Sequence, residues 1–85
     1  MTIHKYVRHS EAGFIIWPKD DRLWHKHIGR ATQMAEDLEG SIVSAGFADI
    51  HNGKVHCFGR SESLSKDSAK EDSALLAKQL GMVAA

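Results

Sequence analysis

The chain has 85 residues, with 11 Lys and Arg against 11 Asp and Glu, 42% hydrophobic residues and a formal net charge of zero. That is the composition of a single small folded domain over residues 1–85, and the charge balance argues against a general nucleic-acid binder, which carries a basic excess. One cysteine, Cys57, excludes an internal disulfide and fits a reducing compartment. With no long apolar run, the expectation is a cytoplasmic protein that engages neither membrane nor nucleic acid.

Residues 3–9, IHKYVRH, have the β-branched and aromatic character of a strand. SEAG breaks it, FIIW at 14–17 forms a second strand, and Pro18 ends that one. The short link predicts a hairpin in which His9 faces Phe14 and Val7 faces Ile16. Asp20 and Asp21 then serve as N-caps for a helix whose buried stripe is Trp24, Ile28, Ala31, Ala35 and Leu38, with Gly40 stopping it.

Residues 41–50 and 54–60 flank Asn52-Gly53, the strongest short hairpin signal, because a type I′ turn needs positive φ at both central residues. A two-residue turn sets His51 opposite Lys54, Asp49 opposite His56 and Phe47 opposite Phe58. One face then carries Val43, Ala45, Phe47, Asp49, His56, Phe58 and Arg60. The other carries Ile42, Ser44, Gly46, Ala48, Ile50, Val55, Cys57 and Gly59, small and apolar enough for a helix to approach closely. Ser68-Ala69-Lys70-Glu71 reads as a capping box opening a helix through Leu76 and Leu80 to Gly81, after which MVAA frays. The predicted fold is α+β in the order β-β-α-β-β-α, a sheet packed by two helices.

Six histidines raise the question of a metal, but His25 and His27 point about 200° apart on a helix, and no pair has zinc-site spacing. No cofactor is expected. Asp49 opposite His56 could form an orienting carboxylate–imidazole pair or a modest cross-strand contact. Cys57, on the packed face, reads as a small core residue. The Gly59-Arg60-Ser61-Glu62-Ser63 loop reads either as a solvated connector or as an anion nest, strand-delivered to a helix N-terminus.

The segment IHNGKVHCFGRS with its following loop and helix resembles the Janus/Ocnus family, which includes the protein phosphohistidine phosphatases. Trp24-His25-x-x-Ile28 with Gly40 beyond it is similar in spacing to that family's catalytic histidine, helix and terminating glycine, and Lys5-Tyr6-Val7 to the segment bearing its active-site lysine. The resemblance implies a phosphohistidine phosphatase-like fold with His25 as nucleophile or general base, Lys5 supplying positive charge, and Gly59, Arg60, Ser61, Glu62 and Ser63 holding phosphate. The chain departs from the pattern at Ala69, where the family has a histidine, and at Trp17 and Ala48, where it has arginines; Arg60 restores one charge. The implied function is a small metal-independent phosphatase acting on phosphohistidine in proteins. The alternative is a non-catalytic module on the same fold, binding a phosphorylated protein or small phosphate ligand, or a homodimer joined through a strand edge.

Overall fold

In the computed structural model, which describes residues 3–19 and 39–85, the Asn52-Gly53 turn has the left-handed backbone its sequence demands, φ +51° and +75°. It joins β3 (Ile42–His51) to β4 (Lys54–Phe58), and the predicted register holds: His51 opposite Lys54, Asp49 opposite His56, Phe47 opposite Phe58. On the other side of β3 lies β1 (Ile3–His9), itself paired with β2 (Gly13–Pro18).

The β1–β2 register is one residue away from the expected one. His9 faces Gly13 and Val7 faces Ile15, not Phe14 and Ile16. Gly13, at φ +76°, belongs to the strand, so the connection is only Ser10-Glu11-Ala12. Three-residue hairpin loops close in this way, with a left-handed residue after the turn. His9 fastens it: its Nδ1 accepts the N–H groups of Glu11 and Ala12, both at 3.1 Å.

Beyond β4 the chain does something the sequence did not announce. The run 54–60 is not one strand. It breaks at Gly59, and β5 (Arg60–Ser61) pairs with β6 (Lys66–Asp67) as a separate small hairpin. The helix does not open at a Ser68 capping box. The Ser68 N–H instead donates to Gly59 O at 3.0 Å, and α1 runs over Asp72–Leu80 with left-handed Gly81 at its end. Its N-cap is Glu71, with no side-chain cap hydrogen bond, and Asp72, the first helical residue, reaches back to accept the Ala69 N–H at 2.8 Å. The final residues are not frayed. Val83–Ala84 form β7, parallel to β4, with the Val83 N–H donating to Gly53 O and the Ala85 N–H to Val55 O.

The five-stranded sheet thus runs β2-β1-β3-β4-β7. Among the described residues this is an α+β domain with a mixed sheet and one helix; the predicted first helix lies outside them. Tyr6 and Val7, neighbours in β1, are both fully buried, so this strand is covered on both faces. On one face Leu76 and Ala77 of α1 pack against Tyr6, Phe14, Ala48 and Val55. Fully burying a side chain such as Leu76 is worth about 1.5–3 kcal/mol. Gly46 lies in that face because a Cβ there would stand 2.6 Å from the Phe58 carbonyl oxygen. The opposite face holds Val7, Trp17 and Ala45, joined by Leu64 from the β5–β6 turn. Ile42 joins this second cluster and not the first as expected, because a register shift at Arg8/His9 turns it over.

Candidate functional site

Lys5 faces Trp17 on one side and Phe47 on the other, and Phe47 faces Phe58. The sheet therefore sets Trp17, Lys5, Phe47 and Phe58 in one row across four strands, all projecting from the same face. At strand spacings of about 4.8 Å, the backbone of Lys5 is roughly 10 Å from that of Phe58, and Gly59 follows directly. A Cβ at Gly59 would lie 3.1 Å from Cδ2 of Phe47, so the loop starts against the ring that neighbours Lys5. Lys5 and Gly59, 54 positions apart in sequence, come near each other because the register brings their strands together.

The loop itself is folded inward. Ser61 is buried; its Oγ accepts the Leu64 N–H at 3.3 Å and lies 3.3 Å from Ser63 Oγ. The Ser65 N–H donates to Glu62 O, also at 3.3 Å, and Ser65 is left-handed at φ +53°. Hydroxyl-closed turns of this kind are a common use of serine. Arg60 lies 3.7 Å from Glu62 and 3.6 Å from Asp67, so its charge is shared with two exposed carboxylates. The expected helix N-terminus is elsewhere. Helix α1 starts 11 residues after Ser61, across the intervening β6, and its first turn already carries Asp72. An anion at the loop would have to be held by side chains and local N–H groups, without the helix dipole. His25 lies outside the described residues, as do Asp20, Asp21, Trp24 and His27.

Two other readings are decided by the geometry. Asp49 and His56 stand opposite one another, yet Asp49 Oδ1 is buried with no hydrogen-bond partner, and His56 stacks on Phe58 at 5.7 Å and 12°. No ion pair joins them among the described residues. Cys57 packs against the core beneath α1, and burial, reinforced by the nearby Asp72 charge, pushes its thiol up to about 11. It is no nucleophile at neutral pH. Among the described residues no cluster of three or more His, Cys, Asp or Glu is placed to hold a metal, and no helix is long and apolar enough to cross a membrane.

The most densely bonded group in the described chain was not anticipated. Asp72, fully buried, accepts the Tyr6 hydroxyl at 2.6 Å, Arg8 Nη1 at 3.0 Å and the Ala69 N–H. Burial alone raises a carboxyl pKa, but the donors outweigh it: Tyr6 first, then Ala69, Ser44 and Arg8 hold Asp72 below the usual carboxylate range. Ser44 contributes from close by, although its buried Oγ lacks a hydrogen bond of ordinary geometry. Tyr6 is driven well above its usual value, by burial and then by Asp72. Bonding to Asp72 likewise raises Arg8, whose guanidinium also reaches Glu71 at 3.4 Å and lies 5.9 Å above the Phe14 ring. The pattern in sequence was Tyr6 and Arg8 two apart in a strand, facing an Asp at a helix start; only the tertiary fold pairs them. The cluster pins α1 to β1 through the Tyr6 hydroxyl and Arg8 Nη1.

Comparison with protein-family models, curated proteins and solved structures finds no match to this chain. The resemblance to the Janus/Ocnus family therefore rests on the motifs alone.

Proposed function

We propose that the chain binds a phosphate ester, with Lys5 on one side of the site and the Gly59–Ser63 loop on the other. The observation that carries this reading is the cross-strand row Lys5–Phe47–Phe58, continued by Gly59, which supports a shared site for residues drawn from opposite ends of the sequence. The phosphohistidine hydrolase is the sharper form of the proposal: His25 would take a proton from the attacking water or carry the phosphoryl group itself. Non-catalytic binding of a phosphorylated protein or small phosphate is the second form. It is favoured by the electrostatics of the loop, where Arg60 is offset by Glu62 and Asp67 and no helix dipole assists. Strong charge stabilisation is what phosphoryl transfer most requires.

The test is phosphate release from a phosphohistidine peptide without metal, run beside amide-shift titrations with the same peptide and with inorganic phosphate. Binding with shifts at Gly59 to Ser63, weakened at least fivefold in Lys5→Ala, is expected. Turnover that disappears in His25→Ala supports the hydrolase, and binding without turnover supports the module. No shifts in the loop on a folded protein would sink both.

A further inference from the structure

Between Lys5 and the far end of β4 lies an aromatic row. Phe47 and Phe58 stack at 5.9 Å and 29°, and Phe58 and His56 at 5.7 Å and 12°. Phe58 is 37% exposed and His56 is also exposed, so this end of the row offers ring surface to solvent, whereas Tyr6, Phe14 and Trp17 are buried. Exposed aromatic side chains on a sheet face suit one class of occupant well: a planar heterocycle, because every nucleobase has a π-face to stack. At the Gly59 end, Arg60 and Lys66 lie on the strand pair that follows Phe58, beside Glu62 and Asp67, and Lys5 adds its charge from the same cross-strand row. Asp49 faces His56 at the other end, and its carboxylate disfavours an anion there.

From this exposed stack, and from the Gly59–Ser63 loop that directly follows it, we infer that the ligand is a mononucleotide, its base stacked on His56 and Phe58 and its phosphate directed to the Gly59–Ser63 end. The inference rests on the phosphate-binding reading and names its ligand class. A mononucleotide fits better than a polymer because the chain has zero net charge, and a polymer is held by a basic stripe that releases counterions along its length. Gly59 connects the two halves: its missing side chain leaves room for the Phe47 ring on which the row begins.

Amide-shift titrations with adenosine 5′-monophosphate, ribose 5-phosphate, adenosine and an eight-residue oligodeoxyadenylate separate the possibilities. The nucleotide is expected to bind at least about tenfold more tightly than ribose 5-phosphate, the scale of one base–aromatic stack. That advantage should vanish in both His56→Ala and Phe58→Ala, and in His56→Ala, which lies outside the Lys5–Phe47–Phe58 row, ribose 5-phosphate binding should stay unchanged. Both residues are exposed, so the variants should fold, and melting curves check it. Equal affinity for nucleotide and ribose 5-phosphate would overturn the stacking inference and leave the phosphate reading standing. Adenosine binding as well as the nucleotide, with no response to ribose 5-phosphate, would overturn both. An oligonucleotide binding much more tightly per site would make the partner a nucleic acid and overturn the mononucleotide assignment.

Discussion

At the scale of single residues, Asp72 matters most because it is a fully buried charge with complete compensation. Its two oxygens take three donors from β1 and from the segment before α1, and the position cannot be made neutral without leaving Arg8 facing an amide. Removing one member of a buried pair costs about 3–5 kcal/mol. Arg8 keeps some solvent and its contact with Glu71, so about 2–4 kcal/mol is expected for Asp72→Asn. Tyr6→Phe removes one bond to a charged group and should cost about 1.5–3 kcal/mol. In urea melts of the two single variants and the double variant, the two losses should be strongly non-additive, since they remove the same contact. Additive losses would mean that the Tyr6–Asp72 bond contributes little.

At the scale of elements, helix α1 closes both sides of the sheet it covers. Near its start, Ser73 Oγ accepts the Cys57 N–H at 2.8 Å on the outer side of β4, and β7 continues that closure from Gly53 to Val55. Near its end, the Gln79 side chain makes a paired contact with Phe14 of β2: Phe14 N–H donates to Oε1 at 3.0 Å, and Nε2 donates to Phe14 O at 2.9 Å. A side-chain amide here occupies the two groups that another strand would use, and Pro18 has no N–H to offer further along. Gln79→Ala should therefore shift the protein toward self-association, seen as concentration-dependent sedimentation, with a loss of only about 0.5–1.5 kcal/mol in monomer stability. Unchanged sedimentation at high concentration would show that the β2 edge is guarded by something else. Such devices are hard to read from sequence because they join residues 65 apart. The Asn52-Gly53 hairpin was legible for the opposite reason: its turn chemistry is local and fixes every pair beyond it. The β1–β2 register slipped because it depends on whether one glycine counts as loop or strand. The β5–β6 hairpin and β7 are two-residue strands whose pairing partners, not their own residues, make them strands.

For the molecule as a whole, the sequence marked Lys5 and the 59–63 loop as candidates, and the sheet register sets Lys5 in the same row as Phe58, which directly precedes the loop. What it could not convey was that the loop is closed on its own serine and separated from the helix, since both follow from the extra hairpin. The same tertiary pairing sets how the fold should respond to pH. Asp72 is held below the usual carboxylate range, so its stabilisation is fully present above about pH 4, the unfolded value, and drains as pH falls through the folded one. Tyr6 and Cys57 are raised, so their contributions are full below their unfolded values and are lost as pH climbs past about 8.5 for the thiol and about 10 for the phenol. Stability should form a plateau between about pH 5 and 8, each group giving a limb of at most about 1.4 kcal/mol per pH unit. Urea midpoints measured from pH 2.5 to 10.5 check this, with the variants assigning the limbs. Asp72→Asn should flatten the acid limb and also soften the alkaline one, because its charge helps raise Tyr6 and Cys57, and Cys57→Ala should delay the alkaline limb toward the tyrosine. An acid limb as steep in Asp72→Asn as in the wild type would mean that the buried carboxylate is not what acid attacks first. Such a limb would come from other carboxylates, and a contribution from the exposed pairs around Arg60, whose charges lie largely in water, should respond to added salt in a way that Asp72 does not.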